Sequence, residues 1–117
     1  PRRREVLQGY LDQGYLLLGI SNQATVALGQ ATEEQVAACM DRTAELLGLP
    51  IDIRWCSHHP KAGCWCRKPL PGIAVALVEQ YGLDPDACIM VGDRDTDRQC
   101  AEAAGFAYQD QADFFAG

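Results

Sequence analysis

This sequence is short of positive charge and of long apolar runs. Its 10 lysines and arginines face 16 aspartates and glutamates, giving a net charge of −6. A general nucleic-acid or membrane-surface binder needs a positive field, so nucleic-acid and membrane partners are disfavoured. A phosphate pocket needs only a few local cations and stays open. No apolar stretch approaches the ~20 residues of a membrane-spanning helix, and no secretory signal is visible. No repeat or low-complexity tract is present. The N-terminal third holds one aspartate, Asp12, within a helical stretch. Methionine is missing from position 1: Pro1 opens a Pro-Arg-Arg-Arg run that leads straight into helical sequence. The chain is therefore expected to begin inside a longer gene product.

The 117 residues, 48% of them apolar, suit a single domain spanning 1–117 with a real core. Six cysteines occur, at 39, 56, 64, 66, 88 and 100. Three of these cluster beside a histidine and the others sit in apolar stretches. With no secretory context this argues for a reducing, cytoplasmic setting.

Helical and extended patterns alternate along the chain. The spacing predicts a helix over 4–13 ended by Gly14, then a buried strand over 15–20 followed by Ser21-Asn22-Gln23. Thr32-Glu33-Glu34-Gln35 reads as a capping box. Its helix turns Val36, Cys39, Met40, Leu46 and Leu47 inward and stops at Gly48. A strand over 51–55 leads into a Cys/His/Pro/Gly-rich loop from Cys56 to Gly72. A helix over 73–81, a strand over 87–91, a helix from Asp95 or Thr96 to Ala104 and a last short strand at 106–108 complete the pattern. Such alternation implies an α/β fold with a parallel sheet. Ligands then bind beyond the C-terminal strand ends, where Ser21-Asn22-Gln23, the Cys/His loop and Gly92-Asp93 all fall.

Cys56-Ser57-His58-His59-Pro60-Lys61-Ala62-Gly63-Cys64-Trp65-Cys66 is the most informative segment. Three thiolates and an imidazole suit tetrahedral zinc, and four protein ligands leave no open position, so Cys56, His58, Cys64 and Cys66 point to structural zinc in a loop over 56–66. His59 is the alternative ligand to His58. Pro60 and Gly63 provide the turn that folds the two pairs together. Arg67 and Lys68 follow directly, a guanidinium fork and an ammonium point charge suited to phosphate. Asp93 ends a buried strand where a carboxylate can bind magnesium, and Gly92 before it leaves room for a ligand. Asp95 suits a helix N-cap and Asp97 a first helical turn.

Taken together, Ser-Asn-Gln, then Cys-x-His…Cys-x-Cys-Arg-Lys-Pro, then Val-Gly-Asp with a further aspartate four residues on, resemble haloacid-dehalogenase (HAD) superfamily phosphatases of subclass IIIA. The nearest branch is that of the heptose-bisphosphate and histidinol-phosphate phosphatases. The resemblance implies a Rossmann-like HAD fold and a magnesium-dependent phosphomonoesterase of carbohydrate metabolism, acting through a phospho-aspartate on a small phosphorylated metabolite. By resemblance, Ser21 holds the transferring phosphoryl group, and Asn22 and Gln23 lie beside it. Lys68 offsets charge, Arg67 and Arg94 lie at the substrate, and Asp93 binds magnesium with Asp97 nearby. Two departures stand out. Leu28 occupies a position where the family commonly has arginine. The family's first motif, an apolar strand followed by Asp-x-Asp-Gly, is absent, so the nucleophile and the central strand that carries it are expected to lie outside these residues. The isolated chain is accordingly expected to be inactive and prone to self-association. The alternative is a non-catalytic, zinc-stabilised module that binds a phosphorylated ligand or a partner. Sugar phosphate, histidinol phosphate and nucleic-acid 3′-phosphate are all open as substrates.

Overall fold

The computed structural model describes residues 2–59 and 61–116. The elements run α1 (Arg2–Asp12), β1 (Leu18–Asn22), α2 (Glu33–Leu47), β2 (Asp52–Cys56), α3 (Gly72–Tyr81), a 3-10 turn (Pro85–Ala87), β3 (Ile89–Gly92), α4 (Asp95–Ala104), β4 (Ala107–Asp110) and α5 (Gln111–Ala116). The chain divides into two compact units, Pro1–Ala62 and Gly63–Gly117. Each unit contains one strand–helix–strand crossover.

In the first unit, β1 pairs in parallel with β2, from Leu18 opposite Asp52 to Asn22 opposite Cys56. The expected strand over 15–20 is shifted three residues later. Tyr15 belongs instead to the end of α1: its N–H bonds Tyr10 O at 3.1 Å, and the two rings meet edge-on at 5.1 Å. Gly14, at φ +93°, makes that reversal, and its own N–H bonds Leu11 O at 2.9 Å. This is a Schellman-type ending, which needs a left-handed residue at this position. The α2 capping box forms as expected, Thr32 Oγ1 accepting from Gln35 N at 3.1 Å and Gln35 Oε1 from Thr32 N at 2.9 Å. The inward face of α2 is narrower than the pattern implied. Val36 is buried and Met40 and Leu47 are half-buried, but Cys39 is exposed and Leu46 is 71% exposed. At 100° per residue those two fall well to one side of the stripe through Val36, Met40, Ala44 and Leu47. Val36, Leu49 and Cys56 form the buried centre of this unit.

In the second unit, β3 pairs in parallel with β4, Ile89 opposite Ala107 and Gly92 opposite Asp110. The strand expected from Ala87 starts at Ile89, because Pro85–Ala87 closes a 3-10 turn capped by the Asp84 side chain. Helix α3 packs on α4 through small residues, Ala74, Cys100 and Ala101 being 0–1% exposed, with Ile73 and Leu77 beside them. The N-cap of α4 is Arg94, so Asp95 is the first helical residue and does not cap. A last helix, α5, has no counterpart in the sequence reading; its Phe114 and Phe115 rings meet edge-on at 4.9 Å. Among the described residues the four strands form two separate two-stranded parallel sheets.

Candidate functional site

The first unit places Ser21 and Asn22 as the final two residues of β1, opposite Trp55 and Cys56 of β2, with Gln23 immediately beyond. Parallel pairing therefore sets these polar groups beside the start of the Cys/His loop. Gln23 is fixed twice: its N–H donates to Cys56 O at 2.7 Å and its side-chain amide to Ser21 Oγ at 2.7 Å. Leu28, in the turns that follow, is 50% exposed.

The ligand atoms of Cys56, His58, Cys64 and Cys66 all lie within 4.8 Å of one another. Cys56 Sγ sits 3.3 Å from His58 Nδ1. Around a tetrahedral zinc, sulfur donors at about 2.3 Å from the ion lie about 3.8 Å apart. The four donors thus match the ion in kind, number and spread. His59 does not join them. Its Nδ1 accepts from Lys61 N at 3.0 Å, which spends that nitrogen on the turn. The turn role read for Pro60 lies outside the described residues.

One carboxylate outside the donor set bears on it. Glu33, the first residue of α2, accepts from Trp55 Nε1 at 3.1 Å and from the Ser57 hydroxyl. The Ser57 hydrogen bond, then that of Trp55, then the charge of His58 hold its pKa below the usual glutamate value. Sequence reasoning took Glu33 only as part of a cap. A shallow concavity here is lined by Glu33, Arg54, Trp55, Ser57 and His58.

In the second unit, Lys68 Nζ and Asp97 Oδ1 form an ion pair at 2.7 Å, with side chains 15% and 8% exposed. The other Asp97 oxygen accepts from the N–H groups of Asp93 and Arg94, each at 3.3 Å. Asp97 therefore joins the lysine to the backbone of the Asp93 turn. Gly92 is needed for this approach, since a β-carbon there would lie 2.6 Å from Asp97 Cβ. The space at Gly92 is filled by Asp97, which corrects the expectation that it was left for a ligand. Asp93 and Arg94 are exposed at the strand end. Arg67 Nη1 is buried with no hydrogen-bond partner among the described residues. A buried, unsatisfied guanidinium N–H is costly, and an anionic ligand would satisfy it.

The HAD-hydrolase-like family matches residues 65–108. The Yersinia pestis D-glycero-beta-D-manno-heptose-1,7-bisphosphate 7-phosphatase is 36% identical over 104 residues, covering 80% of this chain and 55% of that protein. The Thermoplasma volcanium protein named probable D-glycero-D-manno-heptose-1,7-bisphosphate 7-phosphatase is 35% identical over 98 residues, covering 80% of this chain and 67% of the relative. The chain belongs to the HAD-like phosphatase family. This HAD-like chain spans between half and two thirds of the length of such curated relatives. Among solved structures, the D,D-heptose 1,7-bisphosphate phosphatase from B. bronchiseptica, complexed with magnesium and phosphate, superposes with TM-score 0.83 at 30% identity, over 92% of this chain and 63% of that one. A Mesorhizobium loti protein named a putative HAD-like phosphatase gives TM-score 0.85 at 25% identity, over 99% of this chain and 71% of that one. The HAD-type α/β fold expected from the sequence is thereby borne out. No helix among the described residues is long and apolar enough to cross a membrane.

Proposed function

We propose that this chain is the phosphate-handling part of a magnesium-dependent phosphomonoesterase acting on a small phosphorylated metabolite, with a sugar bisphosphate as the leading substrate class. The observation that carries this reading is the Lys68–Asp97–Asp93 linkage, in which one buried carboxylate sets both an ammonium and the turn bearing an exposed carboxylate. Lys68 and Arg67 supply positive charge to the phosphoryl oxygens. In the first unit, Ser21 and Asn22 are groups able to hydrogen-bond a phosphoryl oxygen, with Gln23 fixing Ser21. Arg94 is an exposed second cation beside Asp93. Asp93 offers a carboxylate oxygen to magnesium, which when bound stabilises charge on the phosphate. Cys56, His58, Cys64 and Cys66 hold structural zinc and so steady the loop that leads into Arg67-Lys68. The solved relative's magnesium and phosphate support this reading. A cytoplasmic location, where thiols stay reduced, suits a metal site built from three cysteines and a histidine. Two-stranded sheets present free edges, so the chain by itself is expected to self-associate.

The buried Arg67 Nη1, without a hydrogen-bond partner among the described residues, also suits one second reading, a module that binds phosphate esters without cleaving them. A single assay separates the two. Heptose 1,7-bisphosphate, histidinol phosphate and a nucleic-acid 3′-phosphate are offered, with excess magnesium, to the chain alone and to the chain extended through its upstream coding sequence. The expected result is turnover only by the extended protein, abolished by Asp93→Asn. No turnover by either form would leave the binding module as the function.

A further inference from the structure

We infer that Glu33 is a positioning residue for the metal loop: its single carboxylate holds the two residues flanking Cys56 and thereby presets that thiol for the ion. This rests on the zinc reading above. Trp55 and Cys56 are the last two residues of β2, where successive side chains point to opposite sides, and Ser57 follows them directly. Both neighbours of Cys56 donate to Glu33, Trp55 from its indole nitrogen at 3.1 Å and Ser57 from its hydroxyl. Cys56 between them is 1% exposed, with Sγ 3.3 Å from His58 Nδ1. Gripping both neighbours fixes the backbone on either side of the cysteine and leaves its side chain one direction.

The grip is anchored by the helix. Glu33 is the first residue of α2, directly after the Thr32 cap, where unpaired N–H groups and the helix dipole favour an anion. A carboxylate with two oxygens can serve two donors at once. The helix end thus passes its rigidity to the loop through one side chain that ligates nothing. Groups that orient metal ligands in this way typically govern metal affinity by about 10- to 100-fold.

The experiment measures zinc affinity of the purified protein by competition with a chromophoric chelator. Glu33→Ala is expected to weaken zinc about tenfold or more. Glu33→Gln keeps one acceptor oxygen and should recover part of the loss. Trp55→Phe removes one donor while keeping an aromatic ring, and should weaken zinc by less than Glu33→Ala. Gln35→Ala opens the cap at the same helix end without touching the loop, and is expected to lower the melting temperature with zinc affinity unchanged. If Glu33→Ala binds zinc like the wild type, or if Gln35→Ala loses as much affinity as Glu33→Ala, the inference is wrong. Cys64→Ser tests the ligand set separately. Collapse of binding in Cys64→Ser with normal binding in Glu33→Ala overturns the positioning role alone, whereas normal binding in Cys64→Ser overturns the zinc reading and this inference with it.

Discussion

Lys68 and Asp97, separated by 29 positions in sequence, meet as a 2.7 Å ion pair whose carboxylate also receives the N–H of Asp93. One side chain therefore governs the placement of two groups proposed to handle phosphate. Asp97→Asn keeps the shape but leaves the lysine without its counter-charge. Breaking such a largely buried pair costs about 3 kcal/mol, read as a lower melting temperature. In the nucleophile-bearing extended protein, kcat/KM should fall by about 100-fold, the scale expected when a catalytic group is misplaced by about 1 Å. Unchanged kinetics with a normal Michaelis constant would show that Asp97 sets only stability.

Removing the proposed zinc should loosen the loop. Zinc bound by four protein ligands contributes directly to folding. Chelator-stripped protein is expected to melt at lower temperature and to lose amide protection from Cys56 to Lys68 first, with α4 protected longest. Cys64→Ala combined with Cys66→Ala should reproduce that pattern in the presence of zinc. Hydrogen exchange that is identical with and without metal would contradict it.

Thiol chemistry should divide the cysteines by position. Cys100 is 1% exposed, and burial is the main cause that pushes its pKa up, Lys68 opposing and Asp97 adding to the rise. Cys88 is pushed up by burial and by Asp84. Cys39 is exposed on α2. Maleimide should therefore label Cys39 first and Cys100 last. The raised values also set a sign. At pH above the ordinary thiol value near 9.0 the unfolded state gives up protons that folded Cys88 and Cys100 retain, so stability falls as the solution becomes more alkaline. Cys100→Ala should flatten that fall, and a melting temperature that rises between pH 8 and 10 would be the contrary result.

Most of the architecture could be read from local pattern, because each crossover is built from a short apolar strand, a capped helix and a glycine ending. The misread boundaries share a cause. Tyr15 and its neighbours look like strand by composition, yet Tyr10 five residues earlier claims Tyr15 for the helix end. Cys39 and Leu46 are apolar and helical, but their angle on the helix leaves them in solvent. The Cys/His cluster was legible because tetrahedral chemistry restricts spacing, and the structure brings together the donor atoms of Cys56, His58, Cys64 and Cys66 while a turn hydrogen bond occupies His59. Asp97 and Glu33 were not legible as positioning groups. Each acts on partners more than 20 positions away in sequence, and short-range pattern assigns both to ordinary first-turn duty at a helix start.

The two parallel pairings also differ in how far the chain must travel to make them. Leu18 finds Asp52 across 34 positions, and Ile89 finds Ala107 across 18. Loop-closure entropy grows with the logarithm of that distance, so the longer crossover costs about 0.6 kcal/mol more to close. The stretch carrying Lys68, Asp93 and Asp97 contains the shorter crossover and a helix pair packed through small side chains. It is the part of the chain best suited to reach native order first, giving a folding polypeptide its Lys68–Asp97 ion pair before the β1–β2 ladder is complete.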